Sequence, residues 1–197
     1  MKAVKEAGRG EKTRQRIVGA ASREFRRRGI DGIGVADIMG QVGLTHGGFY
    51  NHFSSKEDLV RVALETCGRE GCERLRRRAD EGKGLEGIIR GYLQAEHRDH
   101  PETGCVAACL AADVGRQPRE TRRRITPVLG EMVSIIAEHL PPSFRGGERE
   151  ATALAIFSLM IGALQMARAV ADPALSDRIR ESAIRTACAL GVRPLSA

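Results

Sequence analysis

The stretch GLTHGGFYNHF, residues 43–53, decides how this chain is read. It lies between two segments with helical apolar spacing, yet it places adjacent glycines at 47 and 48, where a helix should begin. Each glycine in a helix interior costs about 0.8–1.0 kcal/mol relative to alanine. Either the stretch is a loop, or something must approach this backbone more closely than a side chain would permit. The flanking residues favour a helix. Gly43 ends a short helix predicted over 35–42, whose apolar side is Val35, Ile38, Met39 and Val42. Thr45 is placed as N-cap, its hydroxyl accepting from the amide of Gly47 or Gly48. Leu44 and Phe49 then occupy the N′ and N4 positions of a hydrophobic staple. A helix from His46 to about His52 is thus specified at its start, and two short helices around a glycine turn make a helix-turn-helix.

On the N-terminal side, residues 1–10 read as a charged, glycine-containing tail. Residues 11–28 carry the stripe Ile17, Val18, Ala21 and Phe25, closed by Arg26–Arg28 and a Gly29 stop. On the C-terminal side, Ser54 and Ser55 each find an acid three residues on, a capping-box signal for a long helix towards Arg78. Gly82-Lys83-Gly84 breaks the chain, so a boundary is expected within or just after that helix: a head over 11–70, its motif at 34–53, and a larger unit over 71–197. Five helices are predicted beyond residue 84: 85–99, 105–115, 118 to about 140, 148–171, and a last one capped by Ser176. No segment alternates as a strand would. The fold class is all-α, with about nine helices.

Charge follows the same division. The formal net charge is +7; residues 1–78 hold 17 Lys and Arg against 10 Asp and Glu, and the remainder is balanced at 15 against 15. A basic end joined to a neutral body suits a nucleic-acid or anionic-surface partner for that end alone. The five cysteines form an odd set with no small-scaffold framework, and residues 1–16 lack the apolar core of a signal peptide, which points to a reducing cytoplasm. The uncharged run ATALAIFSLMIGALQMA, 151–167, is short for a membrane span and rich in Ala, and it reads as a buried helix.

In a helix-turn-helix, N-terminal residues of the second helix lie nearest the base edges. Here they are Thr45, His46, Gly47 and Gly48, followed by Tyr50, Asn51 and His52. Glycine lets backbone amides approach phosphate, and the N-terminus at Lys56 offers a further phosphate anchor. Tyr50 and His52 can donate to phosphate, while His46 and Asn51 are the candidates for base edges. The pattern Ile38, Gly43, Gly47, Tyr50, Phe53, Lys56 and Leu59 resembles the DNA-binding region of the tetracycline-repressor-like (TetR) regulators across about 11–70. Gly34 stands where that family usually carries a capping Ser or Thr. It still serves as an N-cap and belongs to the candidate DNA-binding set, without a side-chain phosphate contact.

The resemblance implies an Ω-like homodimer with two heads on double-stranded operator DNA and a ligand pocket in each body, from which a small-molecule inducer acts. Leu93, Cys109, Met132, Ile136, Phe157, Met160 and Gln165 are the candidate lining; few aromatics and several methionines suit an adaptable apolar cavity. The last two helices would pair with their mates through Leu154, Ile161, Leu164, Ile179, Ala183 and Ala187. The long uncharged helix agrees independently, because a helix apolar nearly all round must be covered on more than one side.

Three rival readings stand beside this one. Cys105, at a helix N-terminus where a thiolate is favoured, is a candidate redox or electrophile sensor. A basic protein could bind nucleic acid without sequence preference. An enzyme would need a catalytic constellation, and no nucleophile–base set, phosphate loop or carboxylate pair stands out. His97, His100, Cys105 and Cys109 match no trusted zinc spacing, so no metal or other cofactor is expected.

Overall fold

A computed structural model describes the backbone of residues 2–192 and the side chains from residue 10 to 192. The last five residues of the predicted second unit lie outside the described residues. The architecture is all-α: α1 (Lys2–Arg28), α2 (Val35–Gln41), a 3-10 helix (His46–Asn51), α3 (Lys56–Glu81), α4 (Leu85–Tyr92) and α5 (Ala95–Asp99) come first. A second 3-10 turn (Pro101–Thr103), α6 (Val106–Arg116), α7 (Arg119–Glu138), α8 (Gly146–Ala169) and α9 (Pro173–Leu190) follow. No strand occurs among the described residues.

The head forms because α1 buries the predicted stripe of Ile17, Val18, Ala21 and Phe25, joined by Ile38, Met39, Phe49 and Phe53. Phe49 and Phe53 stack at 5.5 Å, four residues apart, and Arg14 lies over the Phe53 ring at 4.9 Å. Gly29 (φ +81°) and Gly43 (φ +70°) both adopt the left-handed conformation that lets the chain reverse after α1 and α2.

The long helix α3 runs unbroken from head to body, about 39 Å at 1.5 Å per residue over its 26 residues. Its start is fixed by reciprocal bonds: Ser55 Oγ accepts from the Asp58 amide at 3.2 Å, and Asp58 Oδ2 accepts from the Ser54 amide at 3.2 Å. In the body, α3 lies against α7 and α8 against α9. The close approach of α3 and α7 requires Gly68, where an added Cβ would sit 2.2 Å from Val128 Cγ1.

The structure corrects five local expectations. Residues 2–10 continue α1 instead of forming a tail, since Lys, Ala and Glu favour helix enough to carry Gly8 and Gly10. The predicted helix over 85–99 is interrupted at Leu93–Gln94. There His97 Nδ1 donates to the Tyr92 carbonyl at 2.6 Å and Arg180, from α9, donates to the Leu93 carbonyl at 2.7 Å. These bonds satisfy the carbonyls that a continuous helix would have used. The segment at 46–51 is a 3-10 helix, and Thr45 is its N-cap without a side-chain bond; the Gly48 amide takes the Thr45 carbonyl at 3.1 Å. The last helix is capped by Asp172, which accepts from the Ala174 amide at 2.9 Å, ahead of Pro173 at N1. Ser176 is buried, bonded to the Ala167 carbonyl at 2.7 Å, and so ties α9 to α8.

Candidate nucleic-acid interface and ligand cleft

The glycine pair has no internal justification. A Cβ on Gly47 would meet nothing within 4 Å, and one on Gly48 only ordinary contacts at 3.7 Å with Thr45 Oγ1 and 3.8 Å with Met39 Cε. Neither residue has a positive φ. The bare backbone here is therefore dictated by neither packing nor conformation. Around it, Gly34, Thr45, His46, Gly47, Tyr50 and Asn51 are exposed, while Gly48, His52 and Lys56 are half-buried. Tyr50 is 64 % exposed, its ring set edge-on to buried Phe49 at 5.3 Å and 5.9 Å from the His46 ring. A large amphipathic side chain held out from a rigid aromatic base is prepaid in conformational entropy for a contact outside the chain.

Beside this face, Lys12, Arg16 and Arg23 of α1 line a shallow basic groove with Gln41 of α2, and Arg16 is tied to the Val42 carbonyl at 2.7 Å. Sequence reasoning assigned α1 only a general positive field. The spacing 12, 16, 23 is one helical face and could have singled these residues out.

In the body, a cleft of about 910 Å³ opens between α6, α7 and α8. Ala107, Leu129, Val133 and Phe157 form apolar walls, and Arg149 and Glu138 stand at the polar side. Arg149 is held by the end of α7, donating to the Ala137, Leu140 and Pro141 carbonyls at 2.6, 2.9 and 2.7 Å. Of the seven lining candidates, Phe157 reaches this cleft. Leu93, Met132, Ile136 and Met160 are fully buried in the core. Cys109 Sγ lies 3.4 Å from the Pro101 carbonyl and 3.4 Å from an Arg168 nitrogen, and Gln165 Nε2 donates to the Ala108 carbonyl at 3.3 Å. Leu129 and Val133, which sequence reasoning missed, belong to a helix whose register against α8 had to be known first.

The six interface candidates divide three ways. Leu154 and Ile161 line the cleft, and Leu164 and Ala187 are fully buried within the protomer. Ile179 and Ala183 line an apolar groove between α8 and α9, beside Met166, 60 % exposed, and Leu175. Although α8 is long and apolar enough to cross a bilayer, it buries Thr152, Ala153, Ile156, Phe157, Met160, Ala163, Leu164 and Ala167 against the rest of the fold.

Cys105 caps α6 and is 4 % exposed, with Sγ 4.0 Å from Met132 Sδ. Its amide donates to His97 Nε2 at 2.9 Å, which, with Nδ1 donating to Tyr92, fixes one neutral tautomer of His97. Burial lowers the His97 pKa to about 3; the Arg78, Arg168 and Arg74 guanidinium groups act in the same direction, and the bond to the Tyr92 carbonyl opposes them. The unfolded imidazole titrates near 6.5, so between pH 6.5 and 3 the unfolded state binds the extra proton. Stability should therefore be unaffected by His97 above pH 6.5 and fall below it, by up to about 1.4 kcal/mol per pH unit. Urea melts at pH 7.5 and 5.0 check this. His97→Gln, which has both a donor and an acceptor, should reduce the pH slope; a slope equal to that of the wild type would show that another group causes the loss.

The comparisons with known proteins agree with this arrangement. A family profile described as "Bacterial regulatory proteins, tetR family" matches residues 17–63, and one described as "Tetracyclin repressor-like, C-terminal domain" matches residues 82–183. The chain is 39 % identical over 56 residues to the HTH-type transcriptional regulator TtgR of Pseudomonas putida, covering 28 % of this chain and 27 % of that relative. It is 33 % identical over 83 residues to the uncharacterized HTH-type transcriptional regulator YfiR of Bacillus subtilis, covering 42 % and 40 %. The chain thus spans between about a quarter and two fifths of these curated relatives' lengths. Over the whole fold, it superposes on the reduced form of NemR from E. coli with a TM-score of 0.75 at 20 % identity, covering 94 % of this chain and 100 % of that one.

Proposed function

Because the chain belongs to the tetracycline-repressor-like (TetR) family, we propose that it is a homodimeric, sequence-specific DNA-binding transcriptional repressor of the cytoplasm, released from its operator by a small apolar or amphipathic inducer. The observation that carries this reading is the unfilled backbone at Gly47–Gly48 flanked by exposed Tyr50, His46 and Asn51 on a buried aromatic base. Thr45, His52 and Lys56 hold the flanking phosphates, Gly34 offers only its backbone at the start of α2, and His46 and Asn51 are directed to base edges. The basic groove on α1 adds salt-sensitive attraction.

A gel shift on the DNA upstream of the protein's own gene, with excess random competitor at fixed salt, tests this. The wild type should retain a specific complex. Gly47→Leu should lose it with helicity unchanged, because the new side chain enters open space and not the core. Competition by random DNA equal to that by the upstream fragment would replace this reading with non-specific binding.

Exposed Met166 and Leu175, with half-buried Ile179 behind them, form the α8–α9 surface on which a second copy would seat. Met166→Glu should shift sedimentation from dimer to monomer mass, whereas a charge at buried Leu164 would disturb the protomer itself. The α6–α7–α8 cleft is the seat for the inducer: its volume falls in the range of small-molecule sites, and its walls are mainly apolar. A thiol-sensing mechanism would need an oxidant to reach Cys105, and the burial of that side chain against Met132 favours the ligand-responsive reading.

A further inference from the structure

A second cleft, of about 540 Å³, opens on another side of the body between the C-terminal half of α3 and helices α4 and α5. Its character is opposite to that of the apolar one. Arg74, Arg77, Arg78 and Arg90 line it, against Glu81 and Glu96. Arg90 is paired outward with Glu86 at 2.6 Å, and Arg77 reaches Glu81 only at 3.9 Å. Arg78 is half-buried, and among the described residues its guanidinium has neither an ion-pair partner nor a hydrogen-bond acceptor. It lies over the face of Tyr92, 6.0 Å from the ring centre.

The floor of this cleft is bare backbone. A Cβ on Gly87 would lie 2.4 Å from the Arg78 carbonyl and 2.5 Å from that of Gly82, and one on Gly91 would lie 2.8 Å from Arg78 Cδ. Gly91 therefore gives the Arg78 stem its path across α4. The site is also distant from the DNA face: 22 residues of continuous helix separate Arg78 from Lys56, about 33 Å at 1.5 Å per residue. That distance sets Arg78 apart from the proposed DNA face.

We propose that this cleft binds the phosphate group of a small anionic metabolite, gripped from within by Arg78 and Arg74 and at the rim by Arg77 and Arg90. Guanidinium forks match the tetrahedral oxyanion with paired N–H donors, and such charge-assisted bonds are about twice as strong as neutral ones. Burial lowers the pKa of both Arg74 and Arg78; the Arg74 charge further lowers that of Arg78, and the Arg26 charge that of Arg74. An anion seated among them offsets this desolvation and mutual repulsion. Arg74 also donates to the Gly104 carbonyl at 3.0 Å, the same oxygen that receives Arg26 of α1 at 3.1 Å. A phosphate drawing on Arg74 competes with that carbonyl and so alters the joint between body and head. This last consequence rests on the repressor reading; the site itself does not.

Calorimetric titration of the full chain with pyrophosphate, without DNA and at ionic strength held constant with chloride, tests the site apart from the repressor reading. The expected result is saturable binding at one site per chain. Arg78→Met should weaken it at least about tenfold, and Arg90→Gln, an exposed substitution that leaves folding intact, about threefold. Far-UV circular dichroism should be unchanged in both. No saturable binding by the wild type would overturn the proposal, as would equal affinity in the wild type and both variants. Saturation by citrate but not by pyrophosphate would overturn the assignment to phosphate. Loss of binding only on Arg16→Gln would place the anion on the head and overturn the cleft.

Discussion

Tyr50→Ala is expected to reduce operator affinity roughly a hundredfold while leaving the melting temperature and the dimer unchanged. The side chain is 64 % exposed and contacts the aromatic base only through its edge, so truncation opens no cavity. A polar contact to the duplex is worth about 1–2 kcal/mol, and each occurs twice in a symmetric dimer. Tyr50→Phe separates the hydroxyl from the ring: recovery by Phe would assign the contact to the ring, and failure to recover would assign it to the hydroxyl. Fluorescence anisotropy on a labelled operator at two salt concentrations reads both. Wild-type affinity in Tyr50→Ala would remove the 46–52 segment from the DNA face.

The second large effect is on stability. Arg26 enters the body from α1 with its side chain 4 % exposed, donating to the Ser22 carbonyl at 3.1 Å, to Glu70 at 3.2 Å and to the Gly104 carbonyl at 3.1 Å. Arg26→Met keeps the stem and removes all three bonds. Among the described residues, Glu70 then retains only Arg74 at 3.9 Å, and the Gly104 carbonyl only Arg74 at 3.0 Å. Three bonds from a charged donor are lost, the one to Glu70 discounted because that side chain is 43 % exposed, and the expected loss is about 2–4 kcal/mol. In a chain of this size that is a fall of about 4–16 °C in melting temperature. Arg26→Lys should recover little, because an ammonium cannot span three acceptors set around a planar fork. An unchanged melt would show that the head is joined to the body without this arginine.

Much of the head was legible in the sequence because its signals are local. The stripe of α1, the Gly43 turn, the Ser55 cap and the Phe49–Phe53 pair all act within a few residues, and each is present in the fold. Thr45 was misread in one respect. Its position as N-cap holds, but the tighter 3-10 winding brings its carbonyl, not its hydroxyl, to the Gly48 amide. The break between α4 and α5 could not be read from local signals alone, since one of the two bonds that stabilise it comes from Arg180, 87 residues away. Nor could the roles of α8 residues: a helix apolar on nearly every face does not say which side meets α9, which the cleft and which a partner.

By itself, then, the sequence determined the all-α class, the helix-turn-helix and the exposed face on which the DNA-binding proposal rests, because periodicity, caps and glycine turns are short-range physics. Tertiary structure alone decided where the side chains of the body lie. It sealed Cys105 against Met132 and made His97 a neutral bridge between two backbone groups. It opened the apolar cleft at Leu129 and Val133, and it gathered arginines of α3 and α4 around an uncompensated Arg78. The physical reason is common to all of these. Burial, charge pairing and cavity shape depend on which helix faces which, and that register is set only when the helices pack.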